Sequence, residues 1–594
     1  MNHKLLHRWI EGVREGRLPR REFLHRMAAF GLTAPMAAQL LMHAGVAQAQ
    51  TGSTYKPARR GGGGALKLLW WQGATLLNPH FASGTKDQEG SRIFYEPLAI
   101  WDNDANLVPI LAAEIPSRAN GGLSADGRVV TWKLKRGVTW HDGQPFTADD
   151  CVFNWEYARD PATAAVTSGF YKDMKAEKVD SHTVRITFDR PTPFWASPFV
   201  ANTLIPKHLF APYMGAKSRE APNNLKPVGT GPYRFVEFKP GDMVRGELNT
   251  SYHMPNRPYF DTIEMKGGGD ATSAARAVIQ TGEFDYAWNL LVEDDILKRM
   301  EDGGKGKVHL AVSGNIEFIL LNATDPWTEV EGERANPKTK HFAFSDASVR
   351  KAMGLLIDRK AIQDFIFGRA GAATANYVNH PVRFRSPNNR MEFSVDKANE
   401  LLDAAGWKRG ADGVREKGGR KLKFVFQTSV NGLRQKVQAV VKQACQKAGI
   451  DVELKSVTAS VFFSSDVPNP DTNTKFWCDI EMYQLQMGPP DPATLMKQFL
   501  SAELSTKANK WQGRNIARWH SEEFDKAYDA SESELDPVKR AALFIKMNDM
   551  AVSAGHIIPL MSRMRVQGRV LKLVPTLTSW DLDLGQLHDW YREA

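Results

Sequence analysis

The stretch KLKFVFQTSVNGLRQKVQAVVKQACQKAGIDVELKSV, residues 421–457, leaves few folds open. Leu422, Phe424 and Phe426 alternate with lysines and Val425 at the period of a strand. Val437, Val440, Val441, Ala444, Cys445 and Ala448 then recur at helical spacing, and Ile450, Val452 and Leu454 alternate again. A helix joining two strands in this way is a crossover, so the strands must lie parallel in an α/β sheet. Solutes bind such sheets beyond the carboxyl ends of the parallel strands, which makes the loop QTSVNG a cleft candidate through Thr428, Ser429 and Asn431. The strand CDIEMYQLQM marks a second such end, with GPPDP as its exit.

A chain of 594 residues exceeds one ordinary core and predicts about three or four domain-sized units. The strand-like run ALKLLWWQ ends at LLNPHFASG, where Asn78-Pro79 blocks further pairing. Between residues 100 and 200, short alternating strands such as VVTWKLKRGVTW and HTVRITFD surround one helix beginning at Thr147, the pattern of a small α+β subdomain. From about residue 313 helices dominate, including VDKANELLDAAG with Ala398, Leu401, Leu402 and Ala405 on one face. No apolar run after residue 50 reaches the roughly 20 residues a membrane helix needs.

The formal charge of +10 is dispersed among nearly as many acids as bases, and residues 1–49 alone hold seven Lys/Arg against three Glu, leaving about +6 on the rest. No zinc-finger, phosphate loop or basic-aromatic stripe accompanies it, so a nucleic-acid partner is not expected. Cys151, Cys445 and Cys478 are far apart and read as buried apolar thiols. The N-terminus resembles a twin-arginine export signal: Arg20-Arg21, Phe23-Leu24, an apolar run from Met27 to Met42, and Ala47-Gln48-Ala49 as a cleavage site, although Pro19 and His25 depart from the usual residues. Cleavage after Ala49 would leave a periplasmic protein whose residues 50–64, TGSTYKPARRGGGG preceded by Gln50, form a flexible lead-in.

WHDGQPFTADDCVF, residues 140–153, sets a histidine beside three carboxylates. Each acid has a structural use: Asp142-Gly143 for a turn, Asp150 for a capping box with Thr147, and Asp149 for the positive end of the helix. No second histidine follows His141 at metal-ligand spacing. A structural role is expected for the whole stretch.

FYEPLAIWDNDANLVPILAAEI, SADGRVVTWKLKRGVTWHDGQPFTADDCVFNWEYARDP, KPVGTGPYRFVEFKPGD, NTSYHMPNRPYFDTIEMK, VIQTGEFDYAW, FSDASVRKAMGLLIDRKAI and KANELLDAAGW follow one another in an order that resembles family 5 of the bacterial extracellular solute-binding proteins. The resemblance spans residues 66–594. It implies a two-lobed periplasmic binding protein fold, type II and cluster C, with lobe I from residues 65–97, 204–312 and 558–594, the α+β block of 98–203 attached to it, and lobe II from 313–557. Crossings near residues 312–315 and 556–559 would be hinges, and closure about them would present a bound solute to the membrane permease of an ATP-driven importer. The family also implies a monomer.

Carried over by motif, Ser83, Gly84, Thr85, Trp288 and Asn289 would form the wall of lobe I. Thr428, Ser429, Tyr483, Gln484, Leu485, Gln486 and Met487 would form that of lobe II, where peptide-binding relatives pair strand main chain with peptide main chain. Peptide binders of the family place an aspartate three residues before the Asp/Glu-Pro pair to accept the ligand ammonium. Here that position is Gly488, and a buried ammonium without a carboxylate is costly. Asp491 is a substitute candidate, against its ordinary role as a turn acid.

The wall so composed is amide-rich and uncharged, which suits hydroxyls and amides, and it lacks a His/Cys set for nickel. Trp70, Trp71, Trp288 and Tyr483 are stacking candidates for a flat or sugar-like solute, with plain packing the alternative for each. No cofactor motif is present, and the absence of Gly-x-Ser-x-Gly, His-Glu-x-x-His and carboxylate pairs outside turns argues against an enzyme. The sequence therefore predicts capture of a peptide or other polar solute. Two further readings are a receptor that presents ligand to a signalling partner and a binder of sugar- or opine-like solutes.

Overall fold

The computed structural model describes residues 55–593, apart from Ser83, Asn103, Asp104, Ala201 and 464–467, together with isolated positions before residue 55. The export signal of residues 1–49 lies almost wholly outside the described residues, and Ser83 of the expected lobe I wall lies outside them too.

Two mixed sheets organise the chain. The first has seven strands, in the order Gly306–Ala311, Arg565–Val570, Tyr286–Ala287, Ala65–Trp70, Thr262–Gly267, Met243–Leu248 and Tyr233–Lys239. Ala65–Trp70 sits inside it, parallel to both of its neighbours. The second has six strands, in the order Gly371–Ala373, Ile557–Arg563, Ile316–Leu321, Ile480–Leu485, Lys423–Ser429 and Asp451–Val457. Ile316–Leu321 and Ile557–Arg563 are buried along their whole length, as strands covered on both faces must be.

The crossover is present as the sequence requires. Lys423–Ser429 and Asp451–Val457 run parallel, joined by the helix Gly432–Lys447. Val437, Val441 and Cys445 of that helix are buried. A third unit, the antiparallel sheet of Val129–Lys133, Thr183–Phe188 and Met174–Asp180, carries the helix Ala148–Arg159.

WHDGQPFTADDCVF is a turn and a helix start. Thr147 and Asp150 form the capping box, and Asp149 pairs with Lys178 at 2.6 Å. His141 reaches across to residues 229–231: Nδ1 accepts from the Gly229 amide at 3.1 Å, and Nε2 donates to the Gly231 carbonyl at 3.1 Å. Burial pushes this imidazole down to about 4, so it is neutral and clips two segments together.

Two expectations need correction. The second crossing between sheets falls at Met564, between Ile557–Arg563 and Arg565–Val570, and not at residues 556–559. Pro559 lies inside the strand and opposes Phe318 at a shift of register, where a ladder tolerates a missing N–H. The first crossing lies between Gly306–Ala311 and Ile316–Leu321.

The described part of the lead-in, residues 55–64, is pinned and not loose. The Arg60 guanidinium donates to the Tyr252 carbonyl at 2.6 Å and the Met254 carbonyl at 3.0 Å. Asp261 accepts from the amides of Gly62 and Gly64 at 2.7 and 2.8 Å, and Tyr55 stacks on Tyr591 with ring centres 4.7 Å apart. Gly61, Gly62 and Gly64 all have positive φ, so the glycine run is a shaped turn.

Candidate functional site

The carboxyl end of Lys423–Ser429 is tied down by its own side chains. Thr428 Oγ1 donates to the Met482 carbonyl at 2.6 Å, and Ser429 Oγ accepts from Arg434 at 2.7 Å. Asn431 caps the helix that follows, accepting from the amides of Leu433 and Arg434. Thr428 and Ser429 are buried, so their side chains organise the strand end.

Behind Ser429 lies a charged triad. Glu317, with no exposed surface, accepts from Arg434 Nε at 2.6 Å and from Arg563 at 2.9 Å. Burial alone would raise the Glu317 carboxyl, but the two guanidiniums outweigh it and hold it below the ordinary range. Glu317 is the second residue of the strand leaving the first crossing, and Arg563 is the last residue before the second. The triad thus fastens both crossings to the strand end at Ser429.

The other expected stretch of lobe II wall is Ile480–Leu485 and its exit. Tyr483 is buried and packs edge-on to Phe318, with ring centres 4.8 Å apart. Gln484 and Leu485 are partly buried, Gln486 is exposed, and Met487 is buried against the first crossing, touching Gly314. Gly488 is exposed, and a Cβ built on it meets nothing within 4 Å. Asp491 is taken: it pairs through both oxygens with Arg540 and accepts from the Ala493 amide at 3.0 Å.

In lobe I, Trp288 is partly buried and lies parallel to buried Trp70, at 6.2 Å and 5°. The Trp71 indole N–H donates to the Trp288 and Asn289 carbonyls at 3.1 and 3.2 Å. Asn289 has φ 56°, a left-handed turn that asparagine tolerates better than most residues. Gly84 precedes the helix Thr85–Arg92, and both Gly84 and Thr85 are partly buried. Trp70 is core, leaving Trp71 and Trp288 partly open.

A cavity of about 1760 Å³ separates the α+β subdomain from lobe II. One side carries Trp101, Asp102, Asn106 and Phe194, and the other Arg383, Pro489, Pro490, Asp491, Lys497 and Arg514. It is bridged where Phe194 meets the Arg540 guanidinium, at 4.7 Å, and where Gly127 meets Leu535. Of the described residues nominated from sequence as ligand contacts, Asp491 lines it and the others do not. The subdomain wall was missed because no local pattern in residues 101–106 marks it.

Cross-lobe ion pairs hold the far side. Glu293 meets Lys436 at 2.8 Å, and Arg369 meets Asp294 at 2.6 Å and Glu301 at 2.8 Å. Among the described residues, no group of three or more His, Cys, Asp or Glu side chains could hold a metal ion, and no helix is long and apolar enough to cross a membrane.

Two sheets joined by two short crossings, with a cavity between the subdomain they carry and the opposite lobe, define a bilobal binding protein. The chain belongs to the bacterial extracellular solute-binding proteins of family 5, whose model for the middle region matches residues 106–506. It is 28% identical over 393 residues to the oligopeptide-binding protein AppA of Bacillus subtilis, covering 64% of this chain and 67% of that one. It is 26% identical over 436 residues to the glutathione-binding protein GsiB of Pectobacterium atrosepticum, covering 73% of each. The structure of Bacillus subtilis AppA with a nonapeptide superposes with a TM-score of 0.71 at 23% identity, covering 91% of this chain and all of that one. NikA of Brucella suis, solved with Fe(III)-EDTA, gives 0.72 at 21% identity over 89% of this chain and all of that one.

Proposed function

We propose that this protein is the periplasmic solute-capturing component of an ATP-driven importer, that it closes about the crossings at residues 312–315 and at Met564, and that it hands a peptide or other polar solute to a membrane permease. The carrying observation is the geometry of those crossings: two short links, anchored by one buried triad, join the sheets on either side of the cleft. Bending there turns one sheet relative to the other with little loss of internal packing. A cavity of about 1760 Å³ exceeds the roughly 300–1,000 Å³ of ordinary small-molecule pockets and has room for a cargo of several residues.

Gln484, Leu485 and Gln486 supply strand edge and amide groups at the cleft margin, while Trp71 and Trp288 offer partly open ring faces. Ser83, Gly84 and Thr85 would complete the lobe I wall. Export through the twin-arginine signal with cleavage after Ala49, action as a monomer, and the absence of catalysis belong to the same reading.

Scattering profiles and calorimetry with periplasmic extract test it. Capture accompanied by a fall in radius of gyration is expected. A rigid body that takes nothing from the extract, or chemical turnover of what it takes, would overturn it. Deleting the gene and measuring uptake separately from signalling decides between transport and ligand presentation, since unchanged uptake would remove transport.

A further inference from the structure

We infer that Arg383 is an anchoring site for an oxyanion of the captured solute, so that the cargo is a carboxylate or similarly acidic molecule and not a cationic one. This rests on the solute-capture reading and adds the cargo's charge to it. Arg383 stands in the short turn Val382–Phe384 and lines the cavity between the subdomain and lobe II. Its guanidinium lies over the Phe384 ring at 4.3 Å and makes one hydrogen bond, to the Pro490 carbonyl at 3.2 Å. Among the described residues no carboxylate lies within ion-pair distance of it.

Arg383 is partly buried, and its contrast with the deeply buried guanidiniums is chemical. Arg434 and Arg563 share Glu317. Arg415 is held by Asp403, Asn399 and two carbonyls, and Arg518 by three carbonyls. Arg383 has five N–H donors and, among the described residues, one hydrogen-bond partner. Asp491, whose charge acts on Arg383, is engaged by Arg540 and the Ala493 amide. Desolvation pulls the Arg383 guanidinium down to about 9, as expected of a cation short of compensation.

A bound oxyanion would supply that compensation through a bidentate pair, which a planar guanidinium favours. The same loop argues the sign a second time. Gly488, two residues before Pro490, offers no carboxylate for an ammonium, and Asp491 of the same loop is already paired with Arg540.

The test uses the full mature chain purified from a bacterial periplasm, as wild type, Arg383→Gln and Arg383→Lys. Native mass spectrometry identifies what each carries, and calorimetry measures its affinity. Expected are solutes bearing a carboxylate or other oxyanion, with affinity lower by about 30-fold or more in Arg383→Gln and partly restored in Arg383→Lys. Ligand-free Arg383→Gln should melt no lower than wild type, because it removes a partly buried charge that has no ion-pair partner among the described residues. A clear fall in its melting temperature would make the residue structural and overturn the proposal.

N-acetyl-Ala-Gln-Ala and its C-terminal amide, used as competitors, separate the sources of the oxyanion. Displacement by the acid alone assigns it to a peptide terminus, whereas displacement by neither, with an acidic solute still bound, assigns it to a non-peptide acid. Equal displacement by both, or equal capture of one solute by wild type and Arg383→Gln, refutes the role of Arg383 and leaves solute capture standing. Empty wild-type protein refutes capture, and this proposal with it.

Discussion

Replacing Glu317 tests the link between the crossings and the cleft most directly. The carboxylate is fully buried and holds two guanidiniums, Arg434 at 2.6 Å and Arg563 at 2.9 Å. Glu317→Ala leaves two buried cations facing each other, and breaking a buried pair by removing one partner costs about 3–5 kcal/mol. Lobe II has the size of a domain for which each kcal/mol shifts the midpoint by about 2–4 °C, so its transition should fall by roughly 6–20 °C. Scanning calorimetry is the assay, because a bilobal chain need not melt in one step.

The charge also sets a sign with pH. Glu317 titrates lower in the folded protein, so its contribution is present above the unfolded carboxyl range and is lost as pH falls through the folded value. The difference between wild type and Glu317→Ala should therefore shrink in acid. A loss below about 1 kcal/mol at neutral pH would refute the reasoning, since a triad of this burial cannot then be holding the crossings.

Further outcomes follow from single residues. Gly488→Asp has open space around the new side chain and should change stability by no more than about 0.5 kcal/mol, while giving affinity for peptides with a free amino terminus; calorimetry with a peptide and its N-acetyl form reads this. Asp491→Asn removes the charge paired with Arg540 and should lower the melting temperature, with ligand affinity falling only in proportion to lost fold, as urea titration and calorimetry together would reveal. His80, buried between Thr167 at 2.6 Å and Asn154 at 2.8 Å, is driven down to about 4 by burial. A histidine neutral in the fold stabilises above its unfolded value near 6.5 and loses that contribution as pH falls toward 4, so the advantage of wild type over His80→Asn should fade across that window in pH-dependent unfolding. Lys436→Ala breaks an exposed cross-lobe pair and should cost about 1 kcal/mol or less while raising the open population, measurable as a larger radius of gyration without ligand.

The elements that could be read from sequence are those whose signal is local. Residues 421–457 carry both periods in one run, and the sheet pairs them in parallel as the periods demand. Thr147 and Asp150 announce a helix start three residues apart, and they form it. The second crossing was legible only from pairing: residues 556–563 read as apolar strand on either side of Pro559, and the bulge opposite Phe318 has no sequence mark. Residues 55–64 look flexible by composition because the groups that fix them, Asp261 and the carbonyls of Tyr252 and Met254, lie about two hundred residues away. For the same reason Thr428 and Ser429 could be nominated as strand-end residues, but their engagement by Met482 and Arg434 could not.

Gly314 sits inside the first crossing with Met487 against it, close enough that a Cβ there would stand 2.6 Å from the Met487 side chain. The residue that ends the proposed lobe II wall is therefore also a bearing surface for the joint. If a solute pairs with residues 484–487 as proposed, its pull is passed through Met487 to that joint, so occupancy of the wall and the angle of the jaws would be mechanically geared.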